Sequence, residues 1–197
     1  MTTANKLTIF RVVLIPVFLV LAYRGMMGWA LAVFVVASLT DMADGYIARH
    51  YNQITDFGKF MDPLADKVLV MAAMCYFVEI GRMPGWALAI VLLREFAVSG
   101  MRLVAVEQGR VIAAGWWGKA KTFVTMIMEI VMIVELAIDM DELELVADIL
   151  MYLALALTII SLIDYLVRNR DVLKEQDNVR SREAGEITGS APIGDSK

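Results

Sequence analysis

The chain has 197 residues, of which 59% are hydrophobic, with a mean hydropathy of +0.66 and a formal net charge of −4. This composition is too apolar for an ordinary soluble domain and points to the bilayer as solvent; the slight negative charge gives no reason to expect a nucleic-acid partner. The single cysteine, Cys75, excludes an internal disulfide framework, and its setting in the apolar run 68–78 predicts a small buried side chain.

A helix that crosses the hydrocarbon core needs about 20 apolar residues. Six runs qualify, at roughly 7–24, 28–50, 61–80, 84–107, 118–138 and 145–167. The first contains Arg11 and Pro16 and lacks a small-residue cleavage site, so it reads as a retained span rather than a secretory signal. Chemically marked breaks follow the first five runs: Arg24-Gly25, then 52–58, 81–84, 109–118 and 139–144.

Basic residues alternate between the two sides. Lys6 and Arg11 lie near the N-terminus, Arg49, Lys59 and Lys67 flank the second connection, and Arg110, Lys119 and Lys121 flank the fourth. Arg168 and Arg170 follow the last run, whereas the odd connections carry only Arg24 and Arg82, and the fifth is acidic. Positive charge stays on the cytoplasmic side, so the expected fold is all-α and polytopic, with six transmembrane helices and both termini inside. Residues 1–168 form the expected membrane domain. From 169 to 197 the apolar pattern stops and charges of both signs mix with Gly, Ser and Asn, which predicts a solvated, disordered tail.

Charge inside such spans marks function. Asp41 and Asp44 end the second run in D-M-A-D-G-Y-I-A-R, and Asp62 and Asp66 open the third in G-K-F-M-D-P-L-A-D, eight residues further on. Carboxylates three or four residues apart share one helix face, and a short connection between antiparallel helices brings the two pairs together. Four carboxylates make an oxygen-only site of the kind that Mg²⁺ or Mn²⁺ takes, with Asp41, Asp44, Asp62 and Asp66 as candidate ligands. A competing reading has Asp62 capping its helix before Pro63 and Asp44 pairing with Arg49; it leaves Asp41 and Asp66 without a role. Gly45 and Ala48 keep one helix face shallow for a bulky ligand, Gly58 serves that face or an ordinary turn, and Arg49 meets a phosphate or a carboxylate. The lone His50, at a helix end, reads as interfacial rather than catalytic.

These residues resemble the signature of the CDP-alcohol phosphatidyltransferases, D-x-x-D-G-x-x-A-R, eight residues, G-x-x-x-D-x-x-x-D. Asp41, Asp44, Gly45, Ala48, Arg49, Gly58, Asp62 and Asp66 fill it without departure. The resemblance implies a six-helix membrane fold with a two-metal site facing the cytoplasm. It implies that Asp41, Asp44 and Asp62 bind metal, that Asp66 is the base, and that Asp44, Gly45, Ala48, Arg49 and Gly58 border the CDP group. Asn5 and Thr8, one turn apart in the first run, read as helix caps or, by the same resemblance, as nucleotide contacts.

Three further stretches, N-K-L-T-I-F-R from Asn5, L-R-E-F-A-V-S-G-M-R from Leu93 and G-K-A-K-T from Gly118, look like the bacterial branch of that family whose acceptor is glycerol 3-phosphate. That branch implies CDP-diacylglycerol as donor, a place in the cytoplasmic membrane and phospholipid synthesis; a homodimer fits a membrane enzyme of this size. Arg102, Arg110, Lys119 and Lys121 suit a doubly charged acceptor phosphate, although the inside-positive bias and headgroup contacts explain such residues too. Arg94 and Glu95, deeper in the fourth run, read as a structural polar network, and Glu129 and Glu135 in the fifth fit either interhelical hydrogen bonding or a subunit interface. The alternatives are a relative using inositol phosphate, serine or a phospholipid as acceptor, a cation transporter built on the same acidic cluster, and a non-catalytic membrane protein.

Overall fold

The computed structural model of the chain describes residues 3–50, 56–107, 109–110, 112–113 and 115–170; the side chains of 3–8, 41–50, 56–64, 66, 107 and 141 lie outside that description. Six helices run in order: α1 (Thr3–Tyr23), α2 (Met27–His50), α3 (Asp56–Glu79), α4 (Gly85–Glu107), α5 (Trp116–Ile138) and α6 (Asp141–Arg168). No strand occurs among the described residues. The expected tail beyond 170 falls outside them.

The six apolar runs and the six helices coincide within a few residues, with one informative exception. Helix α3 begins at Asp56 rather than near 61, so Asp62 and Pro63 lie well inside it and Asp62 is not its cap. Proline removes one backbone donor and leaves the carbonyl four residues earlier without its usual partner. The same exception applies to Pro16 inside α1.

Consecutive helices alternate in direction, and cross-links at one end of the bundle show it. Arg82, between α3 and α4, donates to Glu135 of α5 at 2.9 and 3.1 Å, to Glu144 of α6 at 3.3 Å and to Asp148 at 3.4 Å. At the same end Tyr23 of α1 donates to Glu79 of α3, and Tyr76 Oη donates to the Ala22 carbonyl at 3.2 Å. Partial burial works against the Arg82 charge. Hydrogen bonding to Glu135 and the fields of Glu135, Asp148 and Glu144 outweigh it and raise its pKa above the ordinary arginine value. Glu135 thus has a partner in a neighbouring connection. Glu144 and Asp148 are largely solvated and add little. Arg82→Gln is therefore expected to destabilise the bundle by about 2 kcal/mol, the worth of a charge-assisted bond, and to appear as a lower melting temperature in detergent with unchanged turnover.

Small residues line the helix contacts: Ala30 and Ala37 of α2, Ala73 of α3, Ala87 of α4 and Ala147 of α6 are completely buried. Alanine lets helix backbones approach closely where shape fit must do the packing. Around them Phe18, Phe34, Phe77, Met128, Met132 and Ile133 fill the main core, with Phe18 and Phe34 rings 5.7 Å apart. A smaller cluster of Val98, Met101 and Tyr165 joins α4 to α6.

The outer surface is as apolar as the core. Leu93, Phe96, Leu103, Phe123 and Ile149 are all more than half exposed. Cys75 belongs to that outer surface and is exposed, not buried as its apolar neighbours predict. Met74, Tyr76 and Phe77 take the inward positions of that turn and leave Cys75 facing out. Among the described residues, one helix, Glu142–Arg168, is long and apolar enough by itself to cross a membrane, and Ile9–Tyr23 and Met27–Thr40 are shorter apolar helices.

Candidate active site

Helix register carries the core stripes of α2 and α3 straight into the aspartate motif. On α2 the fully buried Ala30, Phe34 and Ala37 are followed at spacings of four and three by positions 41 and 44. On α3, positions 62 and 66 precede the buried Leu69 and Ala73 at the same spacings. Helices α2 and α3 are packed together, and both touch α5. The structure thus puts Asp41 and Asp44 on the last turns of one helix and Asp62 and Asp66 on the early turns of the next. The side chains of these four, and those of Asn5, Thr8, Gly45, Ala48, Arg49, His50 and Gly58, lie outside the described residues.

Immediately after Asp66 a charged network begins. Glu95 of α4 sits at its centre. Its Oε1 accepts from Arg94 Nη1 at 2.7 Å and from Lys121 Nζ of α5 at 2.9 Å, while its Oε2 lies 3.5 Å from Lys67 Nζ of α3. Lys67 also donates to Ser99 Oγ, and Arg94 Nη2 donates to Ser161 Oγ of α6 at 2.9 Å. The side chains of Arg94, Glu95 and Lys121 are 10%, 13% and 5% exposed. At that depth a charge stripped of its partner costs about 3–5 kcal/mol, so the pairing is obligatory.

Arg94 also opens onto a cleft between α4, α5 and α6, lined by Arg102, Gly115, Gly118, Ser161, Asp164 and Tyr165. The Arg102 guanidinium lies 5.9 Å from the Tyr165 ring centre, within cation–π range. Asp164 brings a negative charge, which Arg168 offsets at 2.7 Å. Two arginines, a serine hydroxyl and a tyrosine make a site suited to an anion with several oxygens.

Of the expected acceptor residues, Arg102 thus reaches the cleft. Lys119 and Arg110 are exposed beyond it, and Lys121 is turned inward to Glu95. The sequence reading missed the contribution of α6. Its signal was present: Thr158, Ser161 and Tyr165 recur at spacings of three and four within an otherwise apolar run, and all three are buried. Arg11, fully buried on α1, was likewise read only as one of the basic residues near the N-terminus. Glu129 of α5 is completely buried, and neither of its oxygens has a hydrogen-bond partner among the described residues; the Thr125 hydroxyl one turn away is in the same condition.

A model of the CDP-alcohol phosphatidyltransferase family matches residues 1–160, and this chain belongs to that family. Its curated relatives are similar over most of their length. The CDP-diacylglycerol–glycerol-3-phosphate 3-phosphatidyltransferase of Bacillus subtilis (strain 168) is 37% identical over 189 residues, covering 86% of this chain and 96% of its own. The protein of the same name from Haemophilus influenzae is 40% identical over 168 residues, covering 81% of this chain and 89% of its own. That from Rickettsia bellii is 37% identical, covering 80% and 89%.

Proposed function

We propose that this chain transfers the phosphatidyl group from CDP-diacylglycerol to glycerol 3-phosphate, releasing CMP and phosphatidylglycerophosphate. The observation that carries this reading is the link between motif and cleft. Lys67, next in sequence to Asp66, pairs with the carboxylate that also holds Arg94 at the cleft wall. The aspartate helix and an anion-binding cleft are thereby tied at one level of the bundle, as a reaction between a nucleotide-linked lipid and a phosphorylated alcohol requires. The names of the relatives support the same donor and acceptor.

The six helices act as six spans. Large apolar side chains cover the outside of the bundle, while Arg94, Glu95, Lys121 and Glu129 lie within, the inverse of a water-soluble surface. Basic residues place the aspartate end in the cytoplasm, in the inner membrane of a bacterial cell, and the apolar outer faces leave room for a second copy as a homodimer.

All four motif residues offer carboxylate oxygen, the donor set that hard divalent cations such as Mg²⁺ and Mn²⁺ take; Asp41, Asp44 and Asp62 would hold two ions. Such ions, when bound, draw charge from the diphosphate oxygens in an in-line displacement. Asn5, Thr8, Asp44, Gly45, Ala48, Arg49 and Gly58 border the CDP group. Arg102 and Arg94 hold the acceptor phosphate in the cleft, with Lys119 and Arg110 drawing the anion toward its mouth. Asp66 takes the proton from the primary hydroxyl of the acceptor. The resulting oxygen forms a bond to the phosphorus that carries diacylglycerol, and the bond from that phosphorus to CMP breaks.

The test is CMP release by the purified protein from CDP-diacylglycerol with glycerol 3-phosphate, inositol phosphate or serine, in Mg²⁺ or Mn²⁺. Release with glycerol 3-phosphate alone is expected, and preference for another alcohol would overturn the acceptor assignment. Gly118 gives a finer check. A Cβ there would stand 3.2 Å from Arg94 Nη2 and 3.7 Å from Ser161 Oγ, so Gly118→Ala pushes the guanidinium by a few tenths of an ångström. Alanine also favours the helix. The expected result is an acceptor KM raised by about threefold to tenfold with no fall in melting temperature.

A further inference from the structure

We propose that Glu95 is a positioning residue of the transfer reaction, holding the aspartate helix and the acceptor cleft at a fixed separation. This deepens the function proposed above and rests on it. One carboxylate gathers cations from three helices: Lys67 of α3, Arg94 of its own α4 and Lys121 of α5. Through Arg94 and Ser161 the chain of bonds continues to α6.

The division of labour between the two oxygens matters. Oε1 takes both buried cations, while Oε2 faces the half-exposed Lys67, whose side chain is 39% exposed. Helices α3 and α4 otherwise meet over a short stretch. The Lys67–Glu95 and Lys67–Ser99 bonds therefore set the turn of α3 that carries Asp66 against α4. On the other side, Glu95 fixes which way the Arg94 guanidinium points as it enters the cleft.

Two features separate this arrangement from a charge cluster built for stability alone. Arg94 and Lys121, both deeply buried, share one carboxylate, and Arg94 also lines the cleft, where its remaining N–H groups meet an arriving anion. In addition, a second carboxylate lies on the same face of α5 two turns beyond Lys121: Glu129, fully buried and without a hydrogen bond among the described residues. Lys121 lies on Glu95 and not on Glu129, so the charge of Glu95 decides whether Lys121 is drawn toward α4. Without that charge, Lys121 turns to Glu129 and Arg94 keeps only its bond to Ser161.

The experiment uses the full-length protein in detergent with CDP-diacylglycerol and glycerol 3-phosphate, comparing Glu95→Gln, Glu95→Asp and Lys67→Gln for kcat, both KM values and melting temperature. Glu95→Gln is expected to raise the glycerol 3-phosphate KM about tenfold or more and to lower kcat, with the CDP-diacylglycerol KM within about twofold. Lys67→Gln removes only the α3 tether and is expected to lower kcat about fivefold with the acceptor KM unchanged. Glu95→Asp keeps the charge and is expected to recover a large part of the loss. A Glu95→Gln protein with wild-type kinetics, or with a lower melting temperature and an unchanged KM for each substrate, overturns the proposal. Where Glu95→Gln does not fold, wild-type kcat in Lys67→Gln overturns it instead. A wild-type protein inert toward glycerol 3-phosphate but active with another alcohol refutes the acceptor assignment alone, and the same variants are then read with that alcohol.

Discussion

Asp66→Asn is expected to lower CMP release by about a thousandfold, within the range that a positioned general base contributes, while the protein remains folded. Asparagine matches aspartate in size and keeps the helix, but it neither accepts a proton at neutral pH nor carries charge. Helix α3 stays in phase because Lys67, on the next residue, keeps its bonds to Glu95 and Ser99. The loss is therefore expected in kcat, with the KM for CDP-diacylglycerol little changed, since the proposed site assigns donor binding to the α2 residues and to metal on the other three aspartates. Gel filtration and thermal unfolding matched to the unaltered protein are the controls. An Asp66→Asn enzyme at full rate would take the base assignment away from this residue and leave the proton to another group.

The sequence shows the helices well and their inward faces less well, for one physical reason. In a water-soluble bundle the outer face of each helix is polar, so the inner face stands out by period. Here Leu93, Phe96 and Leu103 on the outside of α4 are as apolar as Val91 and Val98 within it, and hydrophobicity alone cannot tell the two sides apart. That is how Cys75, set among apolar residues, comes to be exposed. The inverse signal works: polar residues in an apolar run face inward. Read that way, Thr158, Ser161 and Tyr165 mark the inner face of α6, and Arg94, Glu95, Lys121 and Glu129 mark the shared interior.

The aspartate motif was legible because its spacing is local and helical. The Glu95 network was not, because its bonded pairs, apart from Arg94 and Glu95, are separated by 26 and more residues in sequence. No spacing rule joins Lys67 to Ser99 or Arg94 to Ser161. Those pairings depend on which helices pack together, which the order of apolar runs leaves undetermined. The start of α3 was misplaced for a simpler reason: Asp56, Gly58 and Lys59 and a proline at 63 look like a loop when counted by hydropathy. In the structure they form the first turns of a helix that carries the motif.

Removal of divalent cations is expected to abolish turnover altogether, and its reversal distinguishes a bound metal from general damage. With EDTA, CMP release should fall to background; Mg²⁺ or Mn²⁺ in excess of the chelator should restore it. Ca²⁺ should not. It is larger, takes about six to eight oxygens at 2.3–2.6 Å and tolerates irregular geometry, so it fits the same carboxylates without holding the diphosphate in line for displacement. The paired Asp41→Asn variant carries the argument to the residues. Removing one of the three carboxylates proposed to bind metal weakens the attraction for cations that a wholly anionic donor set provides, so the Mg²⁺ concentration for half-maximal rate should rise about tenfold or more, and kcat should fall by about a hundredfold. Arg82→Gln, at the opposite end of the bundle, should leave the Mg²⁺ requirement untouched. If Asp41→Asn instead kept its metal dependence and lost only stability, the carboxylates of α2 would be structural. The cations would then have to be sought on α3 alone, where two aspartates are too few to hold a pair of ions and the two-metal reading would give way to a single-ion site.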